Sequence, residues 1–219
     1  LAVSSSIARI IDQARIQAPG ALDGVLLMEL FATMKAFFEQ TDAWKQKVTI
    51  NAQPYEPYYE IPSFDQAFIN RLIWLKGSPP SGSDPDLALC DDLRPQRSGW
   101  LERAGETAIL RIERPPSVAE SWLVCLGLTV IDPTDNEGVP RAPDWLVEKY
   151  FDYIASGLLS RVAAQPGKPY TNPQIAMLHG RKFATGVSLA RREARDGYLF
   201  GGQRWGFPQT FRTRSQRTW

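Results

Sequence analysis

The chain has 219 residues, 43% of them hydrophobic, and a formal net charge of +1, enough to bury a core as one domain or as a domain with a sizeable insertion. Two cysteines, Cys90 and Cys125, make no disulfide framework, and no apolar run reaches the roughly 18 residues of a membrane span. With no leader pattern at the N-terminus, these features predict a protein that is soluble and intracellular when made.

In chain order, Ser4 to Ser6 offer capping hydroxyls ahead of a helix in which Ile7, Ile10, Ile11 and Ala14 share a face. It ends near Ala18, before Pro19 and Gly20. A second helix is predicted over 22–41, with Leu27, Leu30, Phe31, Met34 and Phe38 at core spacing. It is more apolar than a lone surface helix and needs partners. From Trp44 the period shifts from helical toward two. Short strands are predicted at 48–50 and 58–61, confined to edges or turns by Pro54 and Pro57. An apolar run at 68–75 also reads as a strand, and 78–86, SPPSGSDPD, is turn chemistry throughout. Residues 100–104 and 107–112 form a hairpin pattern about Gly105 and Glu106, with Ala108, Leu110 and Ile112 on one side. The stretch 123–131 is apolar nearly throughout, as a central strand covered on both faces would be. A loop over 132–140 follows.

Two amphipathic helices close the ordered part. In the first, opened by Pro143 and Asp144, Leu146, Tyr150, Tyr153, Ile154, Leu158 and Val162 share a face. In the second, Ala176, Phe183, Val187, Ala190 and Ala194 make a narrower stripe, and Arg191, Arg192 and Arg195 load the C-terminal end, where cations complement the helix dipole. The expectation is an α+β fold: a bundle of four main helices (1–47 and 143–196), an inserted β-rich segment (48–142), and an extended C-terminal arm (197–219). Neither pair of helices alone would bury its stripe. No repeat of fixed period occurs.

Few residues carry chemistry. His179 is the one histidine, which excludes any site needing two, and its place between Ala176 and Phe183 reads as structural. Asp91 and Asp92 read as solvated loop charge, and the two cysteines lack zinc spacing. The glycines of 197–202 lack a P-loop lysine, and no nucleophile-elbow motif is present. No catalytic residue, cofactor or metal site is predicted.

The arm, GYLFGGQRWGFPQTFRTRSQRTW, is different. It holds four arginines and no acid, and it is far richer in aromatics than disordered segments are. Tyr198, Phe200, Arg204, Trp205, Phe207, Phe211, Arg212, Arg214 and Trp219 are the residue types that anchor interfaces. A disordered tail and a single-strand nucleic-acid grip remain alternatives, the latter through stacking and phosphate contacts. An arm that orders on a protein partner is the preferred reading.

The order of helices, β insertion and helices resembles the head-to-tail adaptor, or connector, proteins of short-tailed bacteriophages. The resemblance rests on Ala43-Trp44 closing the second helix, the step from Tyr59 to Pro62, and the opening from Pro143 to Leu146. It continues through the segment from Gln165 to Tyr170, Asn172, Ala176, Phe183, Gly186 and Ala190-Arg191. It implies a non-enzymatic virion protein at the head-to-tail junction, present in the host cytoplasm before assembly. It further implies a ring, typically twelve-fold, whose C-terminal arm binds the portal protein and whose β segment meets the tail nozzle or tube, around passing double-stranded DNA. No membrane is involved. The alternatives are a nucleic-acid-binding protein that uses the basic aromatic tail, or a metal-dependent nuclease using Asp91, Asp92 and Glu113.

Overall fold

The computed structural model describes residues 5–64, 67–77, 96–104, 107–131 and 140–196. Helix α1 (Ser5–Gln17) buries Ile7, Ile10, Ile11 and Ala14, the face its spacing predicts. Ser6 lies inside the first turn, not ahead of it, and its buried Oγ has no hydrogen-bond partner among the described residues. Helix α2 (Asp23–Thr41) buries Leu26, Leu30, Thr33, Met34, Phe37, Phe38 and Thr41. Leu27 and Phe31, expected inside, are only half-buried, because the covered face is turned toward Leu26 and Phe37.

The end of α2 fixes the entry to the strands. Asp42 takes the left-handed conformation, with φ 52°, and its N–H donates to the Phe38 carbonyl at 3.2 Å. Aspartate tolerates that region better than most residues. Its carboxylate accepts Arg71 Nε at 2.7 Å and pairs with Arg71 Nη2 as well, so one side chain holds the helix end against a strand three elements later in the chain.

Among the described residues, six strands form two antiparallel three-stranded sheets. The first has the order β1 (Lys45–Ala52), β6 (Glu120–Val130), β3 (Ala67–Lys76); the second has the order β2 (Tyr58–Ile61), β5 (Thr107–Ile112), β4 (Gly99–Ala104). Strands β1 and β2 are both edges, as the prolines between them predict. The apolar run 68–75 lies within β3, which bulges between Ile69 and Arg71 and again between Leu72 and Trp74. In the hairpin of β4 and β5, Ala108, Leu110 and Ile112 are buried as predicted. A Cβ placed on Gly99 would lie 3.2 Å from a Leu75 methyl and 3.7 Å from a Leu110 methyl, so the two sheets face one another there.

Strand β6 is the central strand expected at 123–131. Trp122, Val124, Leu126, Leu128 and Val130 are buried on one face, and Cys125 and Thr129 on the other. Thr129 Oγ1 reaches the Lys35 carbonyl of α2 at 3.4 Å. Ile131 lies past the end of the strand and is exposed.

Among the described residues five helices stand where periodicity predicts four main ones, because the predicted third is interrupted at Tyr150 (φ −109°, ψ 19°). Helices α3 (Asp144–Lys149) and α4 (Phe151–Ala163) carry one buried stripe through the break, Leu146, Tyr150, Ile154, Leu158 and Val162, and so periodicity alone does not show it. Helix α5 (Pro173–Asp196) returns antiparallel to α4. Val187, Ala190 and Ala194 are buried along it, while Ala176 and Phe183 are half-buried. Asn172 caps it through Oδ1, which accepts the N–H groups of Gln174 and Ile175 at 3.1 Å each, and Pro173 opens the first turn. The molecule is thus α+β. One buried cluster runs from Ile7 through Phe37 and Trp122 to Leu158 and Ala190, shared by helices and strands.

The α4–α5 contact depends on glycines. A Cβ on Gly186 would fall 2.2 Å from Tyr153 Cγ, and one on Gly157 would fall 2.5 Å from both Phe183 and Thr33. Replacing a helical glycine by alanine gains about 0.8–1 kcal/mol of propensity, whereas overpacking costs about 1–3 kcal/mol. Gly186→Ala and Gly157→Ala are therefore expected to destabilise the protein. Gly24→Ala, where nothing lies within 4 Å, is expected to be neutral or stabilising, and urea unfolding of the three variants checks the contrast.

Candidate interaction surfaces

Every residue assigned to partner binding from the sequence, Tyr198, Phe200, Arg204, Trp205, Phe207, Phe211, Arg212, Arg214 and Trp219, lies outside the described residues, as do Cys90, Asp91 and Asp92. What is described is the end of α5, at Asp196. Lys45 Nζ, at the start of β1, donates to the Ala194 carbonyl at 2.6 Å, and Arg191 Nε donates to the Gln40 carbonyl at 2.9 Å. Arg191 thus serves the C-terminal carbonyls of α2 rather than those of its own helix. Glu193 accepts the Tyr150 hydroxyl at 2.8 Å and pairs with Lys149 Nζ at 3.0 Å. The last turns of α5 are therefore tied to α2, β1 and the α3–α4 break.

Glu193 is only 11% exposed. Burial by itself would raise its pKa. The hydrogen bonds from Lys149 and Tyr150, with the charges of Lys149 and Arg192, outweigh burial and hold the carboxyl below its ordinary value. His179, half-buried on α5, is held below the usual histidine range by burial first and the Lys182 charge second. Its buried Nδ1 has no partner among the described residues. Cys125 packs inside β6, and Glu113 is exposed with its N–H on the Ser98 carbonyl at 3.1 Å. Among the described residues no group of three or more His, Cys, Asp or Glu could hold a metal ion, and no helix is long and apolar enough to cross a membrane.

Two further features lie on the β module. A cleft of about 570 Å³ opens between β3 and β4, along 70–75 and 96–101. It is closed at one end by the Arg97 N–H on the Leu75 carbonyl and toward the other by Arg103 Nη2 on the Ile69 carbonyl, both at 2.9 Å. Its described lining holds Arg71 and Arg97 but no carboxylate, histidine or cysteine, so it offers no acid–base pair. The second feature is a row across the outer face of the β2-β5-β4 sheet. Tyr58, Arg111 and Trp100 are cross-strand neighbours, with the Arg111 guanidinium carbon 5.5 Å from the Tyr58 ring centre and 5.0 Å from that of Trp100. Glu102 accepts Trp100 Nε1 at 3.0 Å and Arg111 Nη1 at 3.1 Å, and these two bonds, in that order, lower its pKa. Sequence reasoning missed this row. Alternation with Leu110 and Ile112 places Arg111 outward and the hairpin register sets Trp100 opposite it, but nothing local brings Tyr58 to its other side.

The helices carry the largest exposed apolar side chains at two places. At the turn between α1 and α2 these are Ile16, Leu22 and Met28; on the first turns of α5 they are Ile175, Met177 and Leu178. Trp145 on α3 is 58% exposed. Helix α1 packs on α2, α3 and α4, while α5 packs on α2 and α4, so α1 and α5 border different sides of the same central pair.

The residues that carry the sequence resemblance have packing and turn roles. Trp44 meets Phe38 edge-on at 5.6 Å. The Tyr59 hydroxyl receives the Gln53 N–H at 2.9 Å and lies 2.9 Å from the Glu56 carbonyl, latching the turn between β1 and β2. Gln165 bridges Glu29 of α2 and the Tyr170 hydroxyl at 3.0 and 2.9 Å.

The Glu193 contacts have a pH signature. Because its folded pKa is lowered, its contribution is full above the ordinary value of 4.5 and is lost as pH falls through the lower folded value. Glu193→Gln is expected to cost on the order of 1–3 kcal/mol at neutral pH, as for a buried charge-assisted pair. That difference should shrink progressively below pH 4.5, as read from urea unfolding of both proteins across a pH series.

No protein-family model matches the chain, and a search of curated proteins finds no match.

Proposed function

We propose that the protein is a non-enzymatic virion structural protein, a head-to-tail adaptor of a short-tailed phage. In this reading it joins the portal protein to the tail nozzle or tube, assembles with copies of itself as a ring, and retains packaged double-stranded DNA until ejection. It would lie at the head-to-tail junction of the virion, and in the host cytoplasm before assembly. The helices of 5–41 and 144–196 form the bundle, the β module of 45–130 is the tail-facing insertion, and 197–219 is the portal-binding arm.

The observation that carries this reading is the junction at the end of α5. Lys45, Gln40 and Glu193 pin its last turns to the line where helices and strands meet, and the 23 residues beyond it hold four arginines, many aromatics and no acid. A segment so rich in interface-anchoring types starts from a fixed base. Several described carboxylates are engaged in pairing: Asp23 with Arg15, and Glu102 with Arg111.

Ordering such an arm costs roughly 1–2 kcal/mol per residue, so burial of its aromatics and pairing of its arginines on the portal must offset that cost. Deleting residues 203–219 is expected to leave the melting temperature nearly unchanged and to abolish portal binding. Trp205→Ala alone should weaken that binding by about 2 kcal/mol, as for a buried anchor. A thermal melt together with a portal pull-down decides it. Retained binding places the portal contact elsewhere, and loss of folding makes the arm part of the core.

A further inference from the structure

We propose that copies of the chain associate head to tail, the outward stripe of α5 seating on the acidic stripe presented by α3 and the first turn of α4. As the lateral contact of a ring this rests on the adaptor reading; the pairwise contact itself follows from what the two stripes expose.

The outward face of α5 begins with Met177 and Leu178, 60% and 66% exposed, and continues at helical steps through Arg181 to Arg192, with Lys182 at its margin. Among the described residues, Arg181, Lys182 and Arg192 enter no ion pair; the recorded contact of Arg181 is a weak one, from Nη2 to Met177 Sδ at 3.7 Å. This is a cationic ridge with an apolar head. Its counterpart is on α3 and α4. Glu148 and Asp152 are exposed one helical turn apart, with Trp145 beside them. Glu148 meets Arg9 only at 4.0 Å, and the Asp152 carboxylate enters no ion pair among the described residues.

The two stripes differ in sign and lie on different helices, so a copy offers one and receives the other. Such a contact is heterologous, and it closes into a ring when the rotation between copies divides the circle. A two-fold contact of ridge on ridge would set Arg181 and Lys182 against their own kind. Exposed ion pairs add little affinity singly, and their role is to fix orientation and exclude wrong partners. The apolar surface of Met177, Leu178 and Trp145 supplies the burial. Duplex DNA is the competing occupant of a cationic ridge. Phosphates, however, have no use for Met177 and Leu178 and would leave the acidic stripe without a partner, so the second copy accounts for more of the surface.

The test uses the full chain and two charge-reversed variants, Arg181→Glu with Lys182→Glu, and Glu148→Lys with Asp152→Lys, followed by sedimentation velocity at high concentration and low salt. Wild type is expected to show concentration-dependent association that weakens as salt rises. Each variant alone is expected to lose about tenfold in association constant, as two attractive pairs become repulsive. An equimolar mixture of the two recovers wild-type association, because every contact in an alternating chain is again between opposite signs. Recovery also shows that both variants are folded. Three results overturn the proposal: wild type that stays monomeric at every concentration, association that neither reversal changes, or a mixture that does not recover. Unchanged association combined with a salt-dependent loss of duplex DNA retention in the first variant assigns the ridge to phosphate. The adaptor reading is tested separately by the portal pull-down of the arm-deleted chain.

Discussion

The structure depends on α2 being covered on two sides. Phe37 and Phe38 are adjacent in sequence and both fully buried, yet about 100° apart around the helix. The Phe37 ring lies 5.2 Å from Tyr150 and 6.1 Å from Phe183, among the returning helices. The Phe38 ring lies 5.6 Å from Trp44, where the chain turns into β1. One helix is therefore the inner surface for both the helices and the strands. A helix apolar around so much of its circumference is unstable without both partners, so folding of the β module and return of the C-terminal helices stabilise each other. Asp42 and Arg71 add a directional tie at the point where burial alone would let the two parts rotate.

From this arrangement follows the way the surfaces are divided. Because α2 and α4 are occupied by core contacts, the elements at their borders, α1 and α5, carry the outward faces. The tight α4–α5 crossing at Gly157, Gly180 and Gly186 lets α5 lie close enough to bury a narrow stripe of small residues and leave a broad face outside. A wide exposed face on a firmly held helix suits an interface, since little entropy remains to be lost on docking. The same reasoning makes the fixed base at Ala194 and Lys45 significant for the proposed role of 197–219 as a portal-binding segment.

Elements with one strong period were legible in the sequence. The apolar spacing of α1 and of 146–162, the alternation in β5 and the continuous run in β6 all reappear at their predicted places. Three things were not legible, each for a physical reason. The break at Tyr150 keeps the buried stripe in phase, so no change of period marks it. The inward face of α2 is set by two different partners, and a helix with a nearly uniform apolar surface does not announce which side each will take. In the row Tyr58, Arg111 and Trp100, the Trp100–Arg111 pair belongs to the predicted hairpin, whereas the Tyr58–Arg111 pair joins strands more than 50 residues apart, which local pattern does not encode. The Asn172-Pro173 cap was not singled out from the sequence, although asparagine before a proline that opens a helix has a direct mechanism. The candidate arm residues were singled out by composition, and their places lie outside the described residues.

The net charge of +1 hides a segregation that bears on the proposed adaptor role around DNA. Helix α5 carries five basic side chains against two acidic ones, while exposed carboxylates gather on α3 and the start of α4. A channel that must release DNA cannot hold it by many phosphate contacts, because each adds salt-dependent affinity and slows escape. If lateral contacts between copies take up the α5 ridge, its cations pair with carboxylates of the next copy and are withdrawn from any DNA-facing surface. The charges that orient neighbouring copies would then be the same ones that must be kept from the duplex, and a single arrangement would satisfy both demands.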